Sequence, residues 1–246
     1  MVAVVTGGSR GIGAATVAAL SAAGWDVAVG YRADETAAEA VAEGCRQAGR
    51  RALAVAADVA DEDQVRRLFA AVDDTLGPIA ALINNAGIVA PRSRVDQLDA
   101  ARIVRMLAVN VLGSFLCAGE AVRRMSTSAG GQGGVIVNVS SAASRLGSPG
   151  EYVDYAASKG AIDTFTIGLA QEVAAEGIRV NAVRPGVIDT EIHASGGQPD
   201  RAGRMAKVIP LRRPGRAEEV AAAIAWLCSD QASYITGALV DVAGGR

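Results

Sequence analysis

Tyr155 and Lys159 stand four residues apart in the segment Tyr-Ala-Ala-Ser-Lys. On a helix that spacing puts both side chains on one face, with Cβ atoms about 5–6 Å apart, so the ammonium can act on the phenol. A tyrosine ordinarily titrates near about pH 10, and a neighbouring cation favours its phenolate. Such a pair can exchange a proton with a bound molecule near neutral pH, although many surface helices show the same spacing with no chemistry attached. A second constellation lies near the start of the chain. The apolar run 2–6 ends in Thr6-Gly7-Gly8-Ser9-Arg10-Gly11-Ile12-Gly13, and a helical stretch follows at once. Glycines let the main chain approach a pyrophosphate and adopt positive φ, while a helix N-terminus offers unpaired N–H groups and partial positive charge. The ligand this suggests is a dinucleotide. The spacing of Gly7, Gly11 and Gly13 is not the general GxGxxG fingerprint, and on these residues alone an ordinary glycine turn stays open.

Those residues need elements to hold them. Short apolar runs alternate with Ala-rich helical stretches along all 246 residues, the pattern of βαβ units and a parallel sheet covered on both faces. The runs predict strands over 2–6, 26–31, 51–56, 81–84, 135–140, 179–183 and 239–242. Helices are predicted over 12–23, 35–48, 62–76, 98–125, 153–176 and 217–229. The expected fold class is α/β: a single-domain Rossmann fold over 1–246, with a doubly wound, seven-stranded parallel sheet and helices on both faces. Two segments break the rhythm. The small, polar residues 126–134 predict a flexible surface loop. The stretch 186–214 lacks strand alternation and is long for a connection, which predicts a lid or substrate loop.

Composition narrows the function classes. Hydrophobic residues make up 50% of the chain and charged residues 20%, a balance that favours a large buried core over disorder. A net charge of -2 gives no electrostatic footprint for nucleic acid. Cys45, Cys117 and Cys228 lie far apart and match no metal-ligand spacing, so they are expected to be reduced and buried, with no metal. No apolar run is expected to span a membrane. The passage from Met1 straight into Val2-Ala3-Val4-Val5, with no basic segment, reads as cytoplasmic.

Thr6 to Gly13 resembles the TGxxxGxG turn of the short-chain dehydrogenase/reductase family, and further stretches match that family in order along nearly the whole chain. Asn84-Asn85-Ala86-Gly87 is similar to its NNAG motif, and Asn110 lies in a helix where the family keeps a structural and catalytic asparagine. Ser140-Ser141 closes the fifth strand, Tyr155 to Lys159 is similar to YxxxK, Pro185-Gly186 follows the sixth strand, and Asp241 to Gly245 resembles the family's C-terminal end. The resemblance implies an oxidoreductase in which Tyr155 is general acid/base toward a ketone or aldehyde oxygen as hydride arrives from a nicotinamide. Lys159 would lower the phenol pKa and bond the nicotinamide ribose, and Asn110 would widen its helix and hold a water that relays protons to Lys159. A serine should hold the carbonyl oxygen. The family places it thirteen residues before the tyrosine, where this chain has Ala142, so the loop carries one extra residue. Ser140, Ser141 and Ser144 compete; Ser141 is chosen because strand alternation turns Ser140 to the other side of the sheet. Tyr152 has no lysine at i+4 and is expected to form a pocket wall.

The resemblance also implies cofactor contacts. Gly7, Ser9, Arg10, Gly11, Ile12 and Gly13 form the phosphate turn, and Tyr31 and Arg32 end the second strand. Asp58 and Val59 meet the adenine edge, unless Asp58 is a helix N-cap as Asp61 is. Asn84, Ala86 and Gly87 line the ribose side, and Pro185, Gly186, Ile188 and Thr190 hold the nicotinamide carboxamide. NAD-specific folds place a carboxylate at the end of the second strand for the ribose 2′-OH, whereas NADP needs a cation for its 2′-phosphate. Here the strand ends in Tyr31-Arg32, and Arg10 adds a second guanidinium, so NADP(H) is expected over NAD(H). The expected partners are a small carbonyl or alcohol substrate and, by family likeness, three further copies in a homotetramer. The motifs do not separate 3-oxoacyl-carrier-protein reductases from sugar or steroid dehydrogenases. Glu176-Gly177, where the carrier-protein reductases present a basic residue, counts against that activity. Arg145, Glu151 and Arg184 are candidate pocket residues, and His193 is assigned no chemistry. The rival readings are a cofactor-sensing regulator and an epimerase or dehydratase with a bound nicotinamide.

Overall fold

Alternation along the strands decides the layering. In β1 (Val2–Thr6), Ala3 and Val5 face one helical layer while Val2 and Val4 face the other. The same split runs through β2 (Asp26–Tyr31), β4 (Ile79–Asn84) and β5 (Gly134–Val139), whose side chains are buried on both faces. With β3 (Ala52–Ala56), β6 (Ile178–Pro185) and β7 (Leu239–Val242) they make one parallel sheet in the order β3-β2-β1-β4-β5-β6-β7. One face is covered by α1 (Gly11–Ala22), α2 (Glu35–Gln47) and α9 (Ala217–Cys228). The other is covered by α3 (Glu62–Thr75), α5 (Gly113–Met125) and α7 (Val153–Val173), with the short α6 (Ala143–Leu146) packed against α7. The computed structural model describes residues 1–191, 196–198 and 200–246.

The order explains where a ligand can sit. From β1 the chain winds outward through β2 and β3, then returns to place β4 on the other edge of β1. The loops leaving β1 and β4 therefore diverge and open a crevice at the carboxyl ends of the strands. Thr6 and Asn85 brace its two sides: the Asn85 and Ala86 N–H groups donate to Thr6 Oγ1 at 3.1 and 3.0 Å. Asn85 Nδ2 donates to the carbonyls of Thr6 and Gly7, both at 2.9 Å.

Three expectations are corrected. The helix predicted over 98–125 divides into α4 (Ala100–Leu107), a π-helical turn Ala108–Leu112 and α5. This run, Ala100–Met125, has a mean hydropathy of 1.5 in its most apolar window and is long enough to cross a bilayer by composition, contrary to the expectation that no stretch is. Here it packs on β4, α3 and α7. Residues 126–134 are a fitted turn, not loose decoration. Gly133 N and Gly131 N donate to Met125 O and Ser126 O at 2.7 and 2.8 Å, and a Cβ on Gly133 would meet Gly177 O at 2.5 Å.

The stretch after β6 has a small core of its own. Val187, Ala202 and Ile209 are buried together with Met205 against them, and α8 (Arg201–Met205) lies within it. Gly215 N donates to Val187 O and Asp189 N to Gly215 O, each at 2.9 Å, so the two ends are pinned side by side.

Candidate active site

Two adjoining clefts open at the crevice, of about 300 and about 170 Å3, and share Ile12, Asn85, Gly87 and Thr190 as common walls. The larger is bordered by the glycine turn. Gly7 and Gly11 have φ of +63° and +54°, which favours glycine, and a Cβ on Gly13 would fall 2.1 Å from Gly7 O. The turn is thus packed upon itself and presents main chain and the start of α1 to the cleft. Ser9, Arg10, Tyr31, Arg32, Asp58, Val59 and Ala86 border the same space. Val59 is buried and lies so close to α5 that a Cβ on Gly113 would meet its Cγ2 at 2.6 Å.

Three arginines and three carboxylates, Asp34, Asp58 and Glu191, border this cleft. Arg10 and Arg32 are exposed on its rim, and Arg105, a residue the sequence reading did not single out, enters from α4. Arg105 Nη2 donates to Asp58 Oδ2 at 2.8 Å, and Ala60 N donates to Asp58 Oδ1 at 3.0 Å. Burial alone would raise the Asp58 carboxyl, but the Ala60 N–H and the Arg105 and Arg32 guanidinium groups hold it below the usual carboxylate range. The carboxylate nearest the end of β2, Asp34, spends an oxygen on the Ala37 N–H at 3.0 Å as the cap of α2. A glycine cradle, a helix start and three guanidinium groups fit a phosphate-bearing dinucleotide.

The smaller cleft gathers Ser141, Tyr155 and Lys159, with Pro185, Gly186, Ile188 and Thr190 opposite them. On α7 the Lys159 ammonium lies 5.7 Å from the centre of the Tyr155 ring. Lys159 is 5% exposed, and its Nζ donates to Val139 O at 2.7 Å. Burial pushes its ammonium down to about 8, with Asp163 opposing the change. The start of α7 is set by Asp154, buried and paired with Arg102 of α4 through contacts of 2.8 and 3.3 Å. Of the three serines, Ser144 Oγ donates to Ser141 O at 2.8 Å and Ser140 Oγ to Lys159 O at 3.1 Å. Ser141 Oγ accepts from Ala143 N at 3.1 Å, a bond that does not use its own proton, and the residue borders the cleft.

Asn110 sits behind this wall, at the π-helical turn. Its Oδ1 accepts from Ile88 N at 2.8 Å, and its Nδ2 donates to Ile88 O at 3.0 Å and Ser158 Oγ at 3.1 Å. It clamps the strand-end loop to α7. Gly87 passes between, where a Cβ would lie 3.4 Å from Asn110 Oδ1 and 3.6 Å from Lys159 Nζ. Tyr152 is a buried wall residue whose hydroxyl accepts from Gln198, which in turn accepts from Arg204 Nη2 at 2.5 Å.

Several assignments move. Asn84 lies outside both clefts: its side chain is buried and donates to Asn138 Oδ1 at 3.0 Å and Ser114 O at 3.1 Å. Its neighbour Asn85 borders both clefts instead. Arg145, Glu151 and Arg184 do not border the smaller cleft. Arg184 holds Asp241 at 2.8 and 3.1 Å, Glu151 pairs with Arg92 at 3.2 Å, and Arg145 donates to Arg246 O at 2.7 Å. Arg246 does border it, and no spacing in the sequence pointed there. His193 lies outside the described residues.

A family model described as enoyl-(acyl carrier protein) reductase matches residues 7–246. The uncharacterised oxidoreductase YgfF of Escherichia coli (strain K12) is 59% identical over 245 residues, covering 100% of this chain and 99% of its own. The cis-4-hydroxycyclohexanecarboxylate dehydrogenase of Sinomonas cyclohexanicum is 42% identical over 244 residues, 99% of this chain and 95% of its own. A solved short-chain dehydrogenase from Burkholderia cenocepacia J2315 in complex with NADP matches with a TM-score of 0.90 at 34% identity, covering 99% of this chain and 96% of that one. With the motifs in place on a doubly wound sheet and relatives this similar along their full length, the chain belongs to the short-chain dehydrogenase/reductase family of oxidoreductases.

Proposed function

We propose that the protein is an NADP(H)-dependent dehydrogenase/reductase that interconverts a carbonyl and a secondary alcohol, with Tyr155 as general acid/base. The observation that carries this reading is the meeting of Ser141, Tyr155 and Lys159 on one wall of a cleft continuous with the glycine cradle. Bound there, the nicotinamide supplies or accepts the hydride. The chain's own residues do the rest. Ser141 Oγ donates to the substrate oxygen and fixes it beside the Tyr155 hydroxyl, which gives its proton during reduction and takes it back during oxidation. Lys159, charged, favours the phenolate left behind and holds the ribose hydroxyls. Asn110 keeps the Ile88 loop and α7 in register, and a water held near it relays protons to Lys159.

Cofactor choice rests on Arg10 and Arg32 at the rim, with Asp34 already committed to its helix cap. The relative that acts on cis-4-hydroxycyclohexanecarboxylate makes a cyclic secondary alcohol and its ketone the first substrates to try. We read residues 1–246 as one domain carrying the substrate loop 186–214, and the protein as a homotetramer. Three buried free thiols, Cys45, Cys117 and Cys228, fit a reducing cytoplasm.

The test is spectrophotometric. NADPH should be consumed with at least one of a panel of cyclic ketones, aldehydes, 3-oxoacyl thioesters and sugars, and NADH should serve less well. Tyr155→Phe should lower turnover by about 10^2–10^4-fold with NADPH affinity nearly intact. Residual turnover close to that of the unaltered protein sinks the role of Tyr155. Binding of NADPH with no oxidation by any carbonyl favours the sensor reading instead.

A further inference from the structure

Along α7 the spacing that joins Tyr155 to Lys159 repeats once more. Asp163 stands four residues beyond the lysine, so a phenol, an ammonium and a carboxylate follow one another on one face of the helix. The proton transfer proposed for Tyr155 uses the first two and gives the third no part. Asp163 is not a surface acid. Its Oδ1 is shut off from solvent and has no hydrogen-bond partner, and its Oδ2 lies 3.6 Å from Arg184 Nη1 of β6, too far for a hydrogen bond. Arg184 is engaged elsewhere, in a fork on Asp241 of β7 at 2.8 and 3.1 Å, and Asp241 has Arg145 of α6 at 3.5 Å. Charges of alternating sign therefore run inward from Arg145 through Asp241, Arg184 and Asp163 to Lys159, with the Arg184 guanidinium spent on the outer acid. Other charged groups on the elements packed against α7 have partners of their own: Arg102 and Arg105 of α4 hold Asp154 and Asp58, Arg123 and Arg124 of α5 hold Glu120, and Arg179 of β6 donates to the carbonyls of Ile235 and Ser229. Glu176 lies in the turn that ends α7, and Arg246 borders the cleft. Lys159 gives its Nζ to Val139 O, and among the described residues no carboxylate comes within ion-pair distance of it. Burial pushes its ammonium down to about 8, and the field of Asp163 acts against that fall. A buried carboxylate with an unpartnered oxygen keeps its charge available to such a neighbour, because little solvent lies between to screen it.

We propose that Asp163 is a positioning residue of the proton-transfer wall: its carboxylate is the counter-charge that holds Lys159 as an ammonium in a buried site, and it thereby sets the alkaline limit of carbonyl reduction. The assignment rests on the reductase reading above and adds a residue to it. Asp163 borders neither cleft and acts through Lys159. While the ammonium is kept, the phenolate left on Tyr155 by reduction is stabilised; once Lys159 is a neutral amine, that stabilisation is lost. The fork of Arg184 on Asp241 serves the same end, since it leaves the charge of Asp163 to the lysine.

The experiment follows NADPH oxidation by cyclohexanone, or by the panel carbonyl turned over fastest, as a function of pH. Asp163→Asn keeps the shape of the side chain and removes its charge. The alkaline midpoint of kcat/KM should fall by about one pH unit, the scale of a single partly screened charge about 6 Å away. Asp163→Glu should recover most of that fall, since it restores the charge. Asp241→Asn, which releases Arg184 to pair with Asp163, should move the midpoint the same way by less. A midpoint that stays or rises in Asp163→Asn overturns the assignment; should that variant not fold, an unchanged midpoint in Asp241→Asn does so. A second reading is independent of turnover. The difference in Tm between the protein and its Lys159→Met variant should begin to change at lower pH when both carry Asp163→Asn, because the folded lysine then releases its proton sooner. The same onset with and without Asp163 overturns the assignment. Consumption of no NADPH with any carbonyl would instead remove the reductase reading beneath it, and the Tm series would still decide whether Asp163 holds the charge on Lys159.

Discussion

Lys159 carries opposing demands in one side chain. The proposed chemistry needs its charge beside Tyr155, yet its near-complete burial penalises that charge and brings the ammonium from 10.5 to about 8. The sign of the consequence follows from proton counting. Between about pH 8 and 10.5 the unfolded chain binds a proton at this lysine that the folded chain has released, so stability rises with pH across that window. Below about 8 the full cost of the buried charge is present. The contribution of this group across the window is at most roughly 3 kcal/mol. Thermal unfolding without cofactor should therefore show the protein gaining on a Lys159→Met variant as pH rises through the window; a constant difference between the two would remove burial as the cause. Turnover moves the other way. Carbonyl reduction needs the Tyr155 proton, so kcat/KM for reduction should fall on the alkaline side, with a midpoint that belongs to the Tyr155–Lys159 pair jointly.

At the scale of elements, the glycines divide into those that the fold requires and those that it tolerates. Gly13 has no room, since a Cβ would sit 2.1 Å from Gly7 O within the turn. Gly13→Ala should force the turn open and weaken NADPH binding by at least about tenfold in a fluorescence titration, the loss of a well-placed hydrogen bond or more. Gly44, in the interior of α2, meets nothing within 4 Å and has ordinary helical φ. Gly44→Ala should raise stability by roughly 0.5–1 kcal/mol, read as an upward shift in Tm. The glycine turn, the strands and the Tyr155 helix were legible because their signals are local: a two-residue alternation, a strand ending in glycines, a four-residue spacing. What was not legible depends on distant partners. In the run 98–125 the widening at Asn110 was implied only by the family likeness, and the run's own pattern does not show the Ile88 and Ser158 partners that its amide bonds. Residues 126–134 read as decoration because nothing in their composition shows that Gly133 must pass against Gly177. Arg105 and Arg246 reach the clefts from 47 residues beyond Asp58 and from the strap after β7, and neither has a neighbour in sequence that announces it.

Across the whole molecule, one face remains to be explained. Val104, Leu107, Leu112 and Phe115, from the α4–α5 run, and Ile167 of α7 are large apolar side chains exposed to solvent, and Phe115 is 47% exposed despite stacking on Phe165 with ring centres 3.8 Å apart. Single exposed apolar residues are ordinary, but a cluster on two adjacent helices marks an association surface. The two helical runs that carry it are those that hold Asn110, Tyr155 and Lys159, so covering this face would also brace the proton-transfer wall from behind. The proposed homotetramer, with this face meeting its copy in another subunit, would account for both facts. Light scattering at micromolar concentration should return the mass of four chains. Phe115→Glu, which places a charge among these apolar side chains, should reduce the mass and, by loosening α5 against α7 where Phe115 stacks on Phe165, lower kcat more than it raises the NADPH dissociation constant, because neither phenylalanine borders the cleft of the glycine cradle. A monomeric mass for the unaltered protein would overturn the assembly and leave the exposed aromatic pair to another partner.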